Sequence, residues 1–182
     1  MILYFSATGN SEYVARRIAA ETGDIAVSIT DCYKKQIFSF DEKCKTLGIV
    51  SPTYSWGLPV IVIEFLQRLD LSHKPDYIFF IATYGTTPGQ AGRFADNILA
   101  PKGLPLSAKF SVKMPDTWTP IFDLSNKEKV QRINNYAELE IDQKKGLSCG
   151  NGDWLGRHKI FQAITISTML FSLYSSTVIM TL

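Results

Sequence analysis

The 182-residue chain is 46% hydrophobic and 20% charged, which excludes a disordered segment and fits one globular domain with room for an appended piece. Nineteen lysines and arginines against seventeen acids leave a formal charge of +2, too mild and too dispersed for a nucleic-acid binder. Cys32, Cys44 and Cys149 form no C-x-x-C pair and follow no signal peptide, which points to reduced thiols in the cytoplasm.

"MILYF" (1–5) is an apolar run with no basic stretch ahead of it, so it reads as a strand buried on both faces. In "NSEYVARRIAAE" (10–21), Val14 and Ile18 stand four apart beside Ala15 and Ala19, predicting a helix that lies close to a sheet. "DIAVSIT" (24–30) alternates as a second strand, and "TLGIVSP" (46–52) is a third. "PVIVIEFLQRLD" (59–70) is helical in pattern, and "DYIFFIATYG" (76–85) is the strongest strand of the chain. "GQAGRFADNILA" (89–100) predicts a helix ending before Pro101, and "LSAKFSVKMP" (106–115) alternates with a period of two. "SNKEKVQRINNYAELEIDQKK" (125–145) reads as a long amphipathic helix with Ser125 as its N-cap. This alternation predicts an α/β fold: a doubly wound parallel sheet with helices on both faces.

Beyond residue 150 the composition changes. Ile160–Leu182 carries no charge and follows the basic "GRHK", a length and flank that would suit a membrane span. Its hydroxyls and amide (Gln162, Thr165, Ser167, Thr168, Ser172, Ser175, Ser176, Thr177) argue instead for a helix packed on the core or on a second copy of the chain. The expected division is therefore a domain over 1–150 and an uncharged helical extension over 151–182, with a homodimer through that helix as one outcome.

In a sheet of this kind, ligands lie beyond the carboxyl ends of the strands, at the switch in strand order. The loops after strands one, three and four are "SATGNS", "SPTYSWGLP" and "TYGTTPGQAG". In the first, Ser6, Thr8, Asn10 and Ser11 bring polar side chains to a helix N-terminus, and Gly9 lets the backbone wrap an anion. The loop holds no lysine or arginine and matches neither the Walker nor the dinucleotide glycine pattern, so a phosphate monoester suits it. Its plain alternative is a turn that caps the helix.

The second loop offers Pro52, Thr53, Tyr54, Trp56 and Gly57: flat aromatics beside a flexible peptide. The third offers Thr83, Tyr84, Gly85 and Gly89, with Thr86 and Thr87 as further hydrogen-bonding groups. Asp116, Trp118 and Asp123 in "MPDTWTPIFD" are additional candidates, against a plain Pro-bounded connection. His73 and His158 read as surface residues, no spacing suggests a metal or a serine nucleophile, and "SATG" stands where a phosphoacceptor receiver domain would need an acidic pair.

"FSATGNSEYVA" resembles the phosphate loop of the flavodoxin-like family, over roughly residues 1 to 150. More narrowly, "SPTYSWGLP", "IATYGTTPG" and "FSVKMPDTWTP" resemble the flavodoxin half of bacterial flavodoxin–ferredoxin fusion proteins, whose cluster-binding cysteine runs this chain lacks. Flavodoxins are themselves a known instance of the switch-point rule. The resemblance implies a five-stranded sheet of order 2-1-3-4-5 and non-covalent FMN, its phosphate in the first loop and its ring between the other two. It implies that the Gly57 carbonyl accepts a hydrogen bond from flavin N5, and that the partners are redox proteins such as a ferredoxin or a reductase. An FMN-dependent quinone or NAD(P)H oxidoreductase, or an interaction module without flavin, are the alternatives.

Overall fold

The computed structural model describes residues 1–41, 43–116 and 125–148, the side chains of 144–148 excepted. In chain order the elements are β1 (Ile2–Tyr4), α1 (Asn10–Thr22), β2 (Ala26–Ser28), α2 (Ile29–Lys34), β3 (Ser39–Phe40), β4 (Thr46–Pro52) and α3 (Val60–Arg68). They continue with β5 (Asp70–Leu71), β6 (Tyr77–Tyr84), α4 (Ala91–Leu99), a 3₁₀ turn (Ala100–Lys102), β7 (Ala108–Lys113) and α5 (Lys127–Ser148).

Five strands form one parallel sheet in the order β2-β1-β4-β6-β7. Counting only those strands, the order is the expected 2-1-3-4-5. The central strands β4 and β6 run in register from Thr46↔Tyr77 to Pro52↔Thr83. Both are buried on both faces, which is why they read as continuous apolar runs.

Side chains alternate across the sheet and build two cores. Leu47, Ile49, Ile78, Phe80 and Ala82 pack under Val62, Phe65, Leu66, Ala91 and Ala95 on one face. Ile2, Tyr4, Val50, Phe79 and Ile81 pack under Val14, Ile18, Ala137 and Ile141 on the other. Gly48 keeps the second face thin, since a Cβ there would stand 2.5 Å from the Phe79 ring and 2.7 Å from Ile2. α1 and α5 cover that face, and α3 and α4 the other.

Several boundaries differ from the sequence reading, three of them with a visible physical cause. The run 24–30 is not all strand: Ser28 ends β2 and accepts the Asp31 N–H at 3.2 Å, so Ile29 and Thr30 open a helix. The helix expected over 59–70 stops at Arg68, because Asp70 and Leu71 pair with Ser39 and Phe40 in a two-stranded sheet. Asn126, not Ser125, caps α5, accepting the Lys129 N–H at 2.9 Å. Residues 1–148 form one compact unit, and the 151–182 extension lies outside the described residues. Among the described residues, no helix is long and apolar enough to cross a membrane.

Candidate functional site

The loop from Ser6 to Gly9 joins the end of β1 to α1 at the carboxyl edge of the sheet. Gly9 is the N-cap of α1 at φ +97°, a conformation open to glycine and costly for other residues. Its N–H donates to Ser6 Oγ at 3.1 Å, which closes the loop on itself. Gly9 brings no side-chain cap to α1, whose first turn and positive end begin just behind exposed Ala7, Thr8 and Gly9. That arrangement fits an anion.

Two of the loop's polar side chains are already engaged. Asn10 Nδ2 donates to the Pro115 carbonyl at 2.9 Å, tying the loop to the segment after β7. Ser11 is buried, and its Oγ lies 2.7 Å from Thr83 Oγ1, itself buried at the end of β6. The side chains of Asn10 and Ser11 therefore join the loop to the segment after β7 and to the end of β6.

The second loop is a tight reversal. The Tyr54 N–H donates to the Gly57 carbonyl at 3.1 Å and the Gly57 N–H to the Tyr54 carbonyl at 2.9 Å. Ser55 and Trp56 at its centre have φ of +48° and +61°, the hand of a type I′ turn, where glycine and asparagine are usual. Trp56 is 68% exposed and Tyr54 47%, so two aromatic faces stand in solvent on a fixed backbone. Tyr54 meets Phe5 edge to face, with ring centroids 6.4 Å apart.

The third loop clasps the second. Thr53 donates its N–H to the Thr83 carbonyl at 2.9 Å and its hydroxyl to the Pro88 carbonyl at 3.1 Å. The Gln90 N–H donates to the Trp56 carbonyl at 2.8 Å. Gly89, at φ +54°, lies so close beneath the turn that a Cβ would reach 2.4 Å from the Trp56 carbonyl oxygen. A Cβ on Gly57 would stand 3.2 Å from the Phe94 ring, and one on Gly85 2.2 Å from the Asp116 carboxylate.

The structure thus gathers Ser6, Thr8, Gly9, Asn10, Ser11, Pro52, Thr53, Thr83, Gly85 and Gly89 at one rim, with Tyr54, Trp56 and Gly57 in the turn between them. Asp116 joins them against Gly85, whereas Trp118 and Asp123 lie outside the described residues. Tyr84 faces a different neighbourhood, a cleft walled by α5, where burial raises its phenol pKa and Glu140 and Tyr136 add to the effect. Gln90 and Phe94 were missed by sequence reasoning, Gln90 because it acts through a backbone N–H that any residue type supplies. Among the described residues, no group of His, Cys, Asp and Glu could hold a metal ion.

A family model for the flavodoxin domain matches residues 1–144. Among solved structures, the Trp repressor binding protein from Bacillus subtilis is 12% identical at a TM-score of 0.52, over 84% of this chain and 100% of that one. The rubredoxin oxygen:oxidoreductase of Desulfovibrio gigas is 17% identical at a TM-score of 0.47, over 79% of this chain and only 36% of its own length. The flavodoxin of Streptococcus pneumoniae TIGR4 is 18% identical at a TM-score of 0.45, over 79% of this chain and 97% of that one. No curated protein matches the chain.

Proposed function

The chain belongs to the flavodoxin family of flavin-binding redox proteins, and from that premise we propose that it holds FMN non-covalently and passes electrons between redox proteins. The observation that carries the reading is the junction of the three loops. The N-terminus of α1, to which Gly9 brings no side-chain cap, is fastened through Ser11 and Thr83 to the strand whose following loop clasps the Trp56 turn. That junction supports a phosphate group and an aromatic-covered ring at one edge, as a phosphorylated isoalloxazine would require.

The first-turn amides of α1, with the Ser6 and Thr8 hydroxyls, would hold the phosphate. Trp56 and Tyr54 would cover the ring, and Gly57, Gly85 and Gly89 would allow the backbone to approach its edge. When bound, FMN supplies both one- and two-electron chemistry. The chain's part is to bind, orient and shield it, and none of these residues need act as an acid or base. The Gly57 carbonyl already accepts the Tyr54 N–H. Serving flavin N5 as well would use its second lone pair or require the peptide to turn.

The test is an absorption spectrum of the purified protein during stepwise reduction. A yellow protein in which the one-electron-reduced flavin accumulates supports electron shuttling. Direct oxidation of NAD(P)H, or two-electron reduction of a quinone with no such accumulation, moves the function to the oxidoreductase alternative. A protein that takes up no FMN sinks both. We assign residues 151–182 to an extension that packs on the domain or on a second copy. Unchanged solubility and oligomeric state after deletion of 160–182 would count against that.

A further inference from the structure

Tyr84 and Lys113 end β6 and β7 at the rim that carries the three loops, and they open into a cleft of about 580 Å³. Its other wall is the first half of α5, which contributes Lys129, Arg132, Ile133 and Tyr136. Lys113, Lys129 and Arg132 are exposed, and none has an ion-pair partner among the described residues.

The remaining charges of α5 are arranged differently. Glu138 and Asp142, in its second half, face Arg17 of α1 at 3.7 Å each, and Arg17 also holds Glu21 at 2.5 Å. Glu140 accepts the Lys113 backbone N–H at 3.0 Å and lies beside Tyr84. Glu138, Glu140 and Asp142 are thus engaged by the domain, whereas Lys129 and Arg132 of the first half are exposed with no ion-pair partner among the described residues, and Glu128 is the acidic residue of the first turn.

Lysines at a helix N-terminus oppose the macrodipole, and Lys129 and Arg132, three apart on one face, repel each other. Both effects work against folding. The placement does add the positive end of the helix to the positive side chains, and concentrates potential beside the ring loops.

We propose that this cleft docks a redox protein through an acidic patch on that partner's surface. The proposal rests on the electron-transfer reading above. Open, exposed cations on two elements, interleaved with Tyr84 and Tyr136, suit a protein face better than an enclosed small ligand, since arginine and tyrosine are favoured at such contacts. Transient electron-transfer contacts are small and are steered by charge. Tyr84 lies between Thr83 and Gly85 in sequence, so a partner seated here would stand against the loop that borders the flavin site.

The test uses the full chain, an acidic [2Fe–2S] ferredoxin as probe and a Lys129→Glu/Arg132→Glu variant. The reversal relieves the clash with the helix dipole, so the variant should fold at least as well as the parent. Stopped-flow electron exchange with the ferredoxin at low ionic strength should slow by about tenfold or more in the variant, and the two proteins should converge at high salt. Exchange with a neutral benzoquinone should be unchanged.

Equilibrium binding of the same ferredoxin to the flavin-free chain, followed by calorimetry, gives a readout that survives if no flavin is taken up. There too the parent should bind in a salt-dependent manner and the variant should not. Equal rates or equal binding for both proteins would overturn the proposal. So would charge-dependent binding to phosphatidylserine vesicles or single-stranded DNA with no response to the ferredoxin.

Discussion

Ser55 and Trp56 show how far one turn departs from what its residues prefer. Each adopts the left-handed backbone at a cost of about 1–2 kcal/mol relative to glycine. Trp56 recovers little of this through burial, since 68% of it is exposed. Strain of this kind persists where the surroundings enforce it, and here two hydrogen bonds close the turn and Gln90 holds it from below. Replacing Trp56 by glycine should therefore stabilise the flavin-free protein by about 1 kcal/mol in urea unfolding while weakening FMN binding in a fluorescence titration. A variant that loses stability would show that the tryptophan packs in a way its exposure does not suggest.

At the scale of elements, single polar contacts join helices to strands across long sequence distances. Ser11 of α1 and Thr83 of β6 share one buried hydrogen bond. Ser11→Ala leaves a buried hydroxyl without that partner and should cost roughly 1–3 kcal/mol, while adding Thr83→Val should cost little more than Ser11→Ala alone. Strict additivity in the double-mutant cycle would show that the two groups do not interact.

Asp96 on α4 accepts the Leu106 N–H at 2.9 Å and pairs with Lys109 of β7. Burial works to raise the Asp96 pKa, but the bonds from Lys109 and the Leu106 amide outweigh it and hold the carboxyl below its usual value. A depressed carboxyl contributes stability above its unfolded pKa, and that contribution is lost as pH falls through the folded one. Parent protein should thus lose stability below about pH 4 more steeply than Asp96→Asn does, as read by urea midpoints across the acid range.

Lys102 plays a related part, donating to the Leu66 and Gln67 carbonyls at 3.1 and 2.9 Å and to Leu69, and so closes the C-terminal end of α3.

What could be read from the sequence at this scale follows from the range of the forces involved. β4 spans the residues expected of it, because strands buried on both faces declare themselves as apolar runs. β3 and β5 are two residues each, too short for any period, and exist because Asp70 and Phe38 lie side by side in the fold. Ser28 looked like one more strand position because Ile29 continues the alternation, although its hydroxyl starts a helix. In the candidate site, the loops were legible from local composition. Their fastening was not, since Ser11 and Thr83 are 72 residues apart.

For the whole molecule, the doubly wound topology brings loops centred near residues 8, 55 and 86 to one edge of a sheet whose centre is buried on both faces. A ligand that bridges those loops binds only the folded chain and must raise its stability by mass action. FMN at a hundred times its dissociation constant should add about 2.7 kcal/mol and move the unfolding temperature upward with FMN concentration. Riboflavin, which lacks the phosphate, should give a smaller shift if the α1 amides bind as proposed. Equal shifts from the two compounds would remove the phosphate from the account.

The Trp56 turn has one further consequence. Flexible loops that close on a ligand lose backbone freedom when they bind, and that loss weakens affinity. Here the backbone of the aromatic is already fixed, by its own closing bonds and by the loop that lies beneath Trp56. Only the two side-chain torsions of Trp56 remain to be ordered. The entropy of immobilising its backbone is therefore lost once, when the chain folds, and is not lost again each time a ligand arrives.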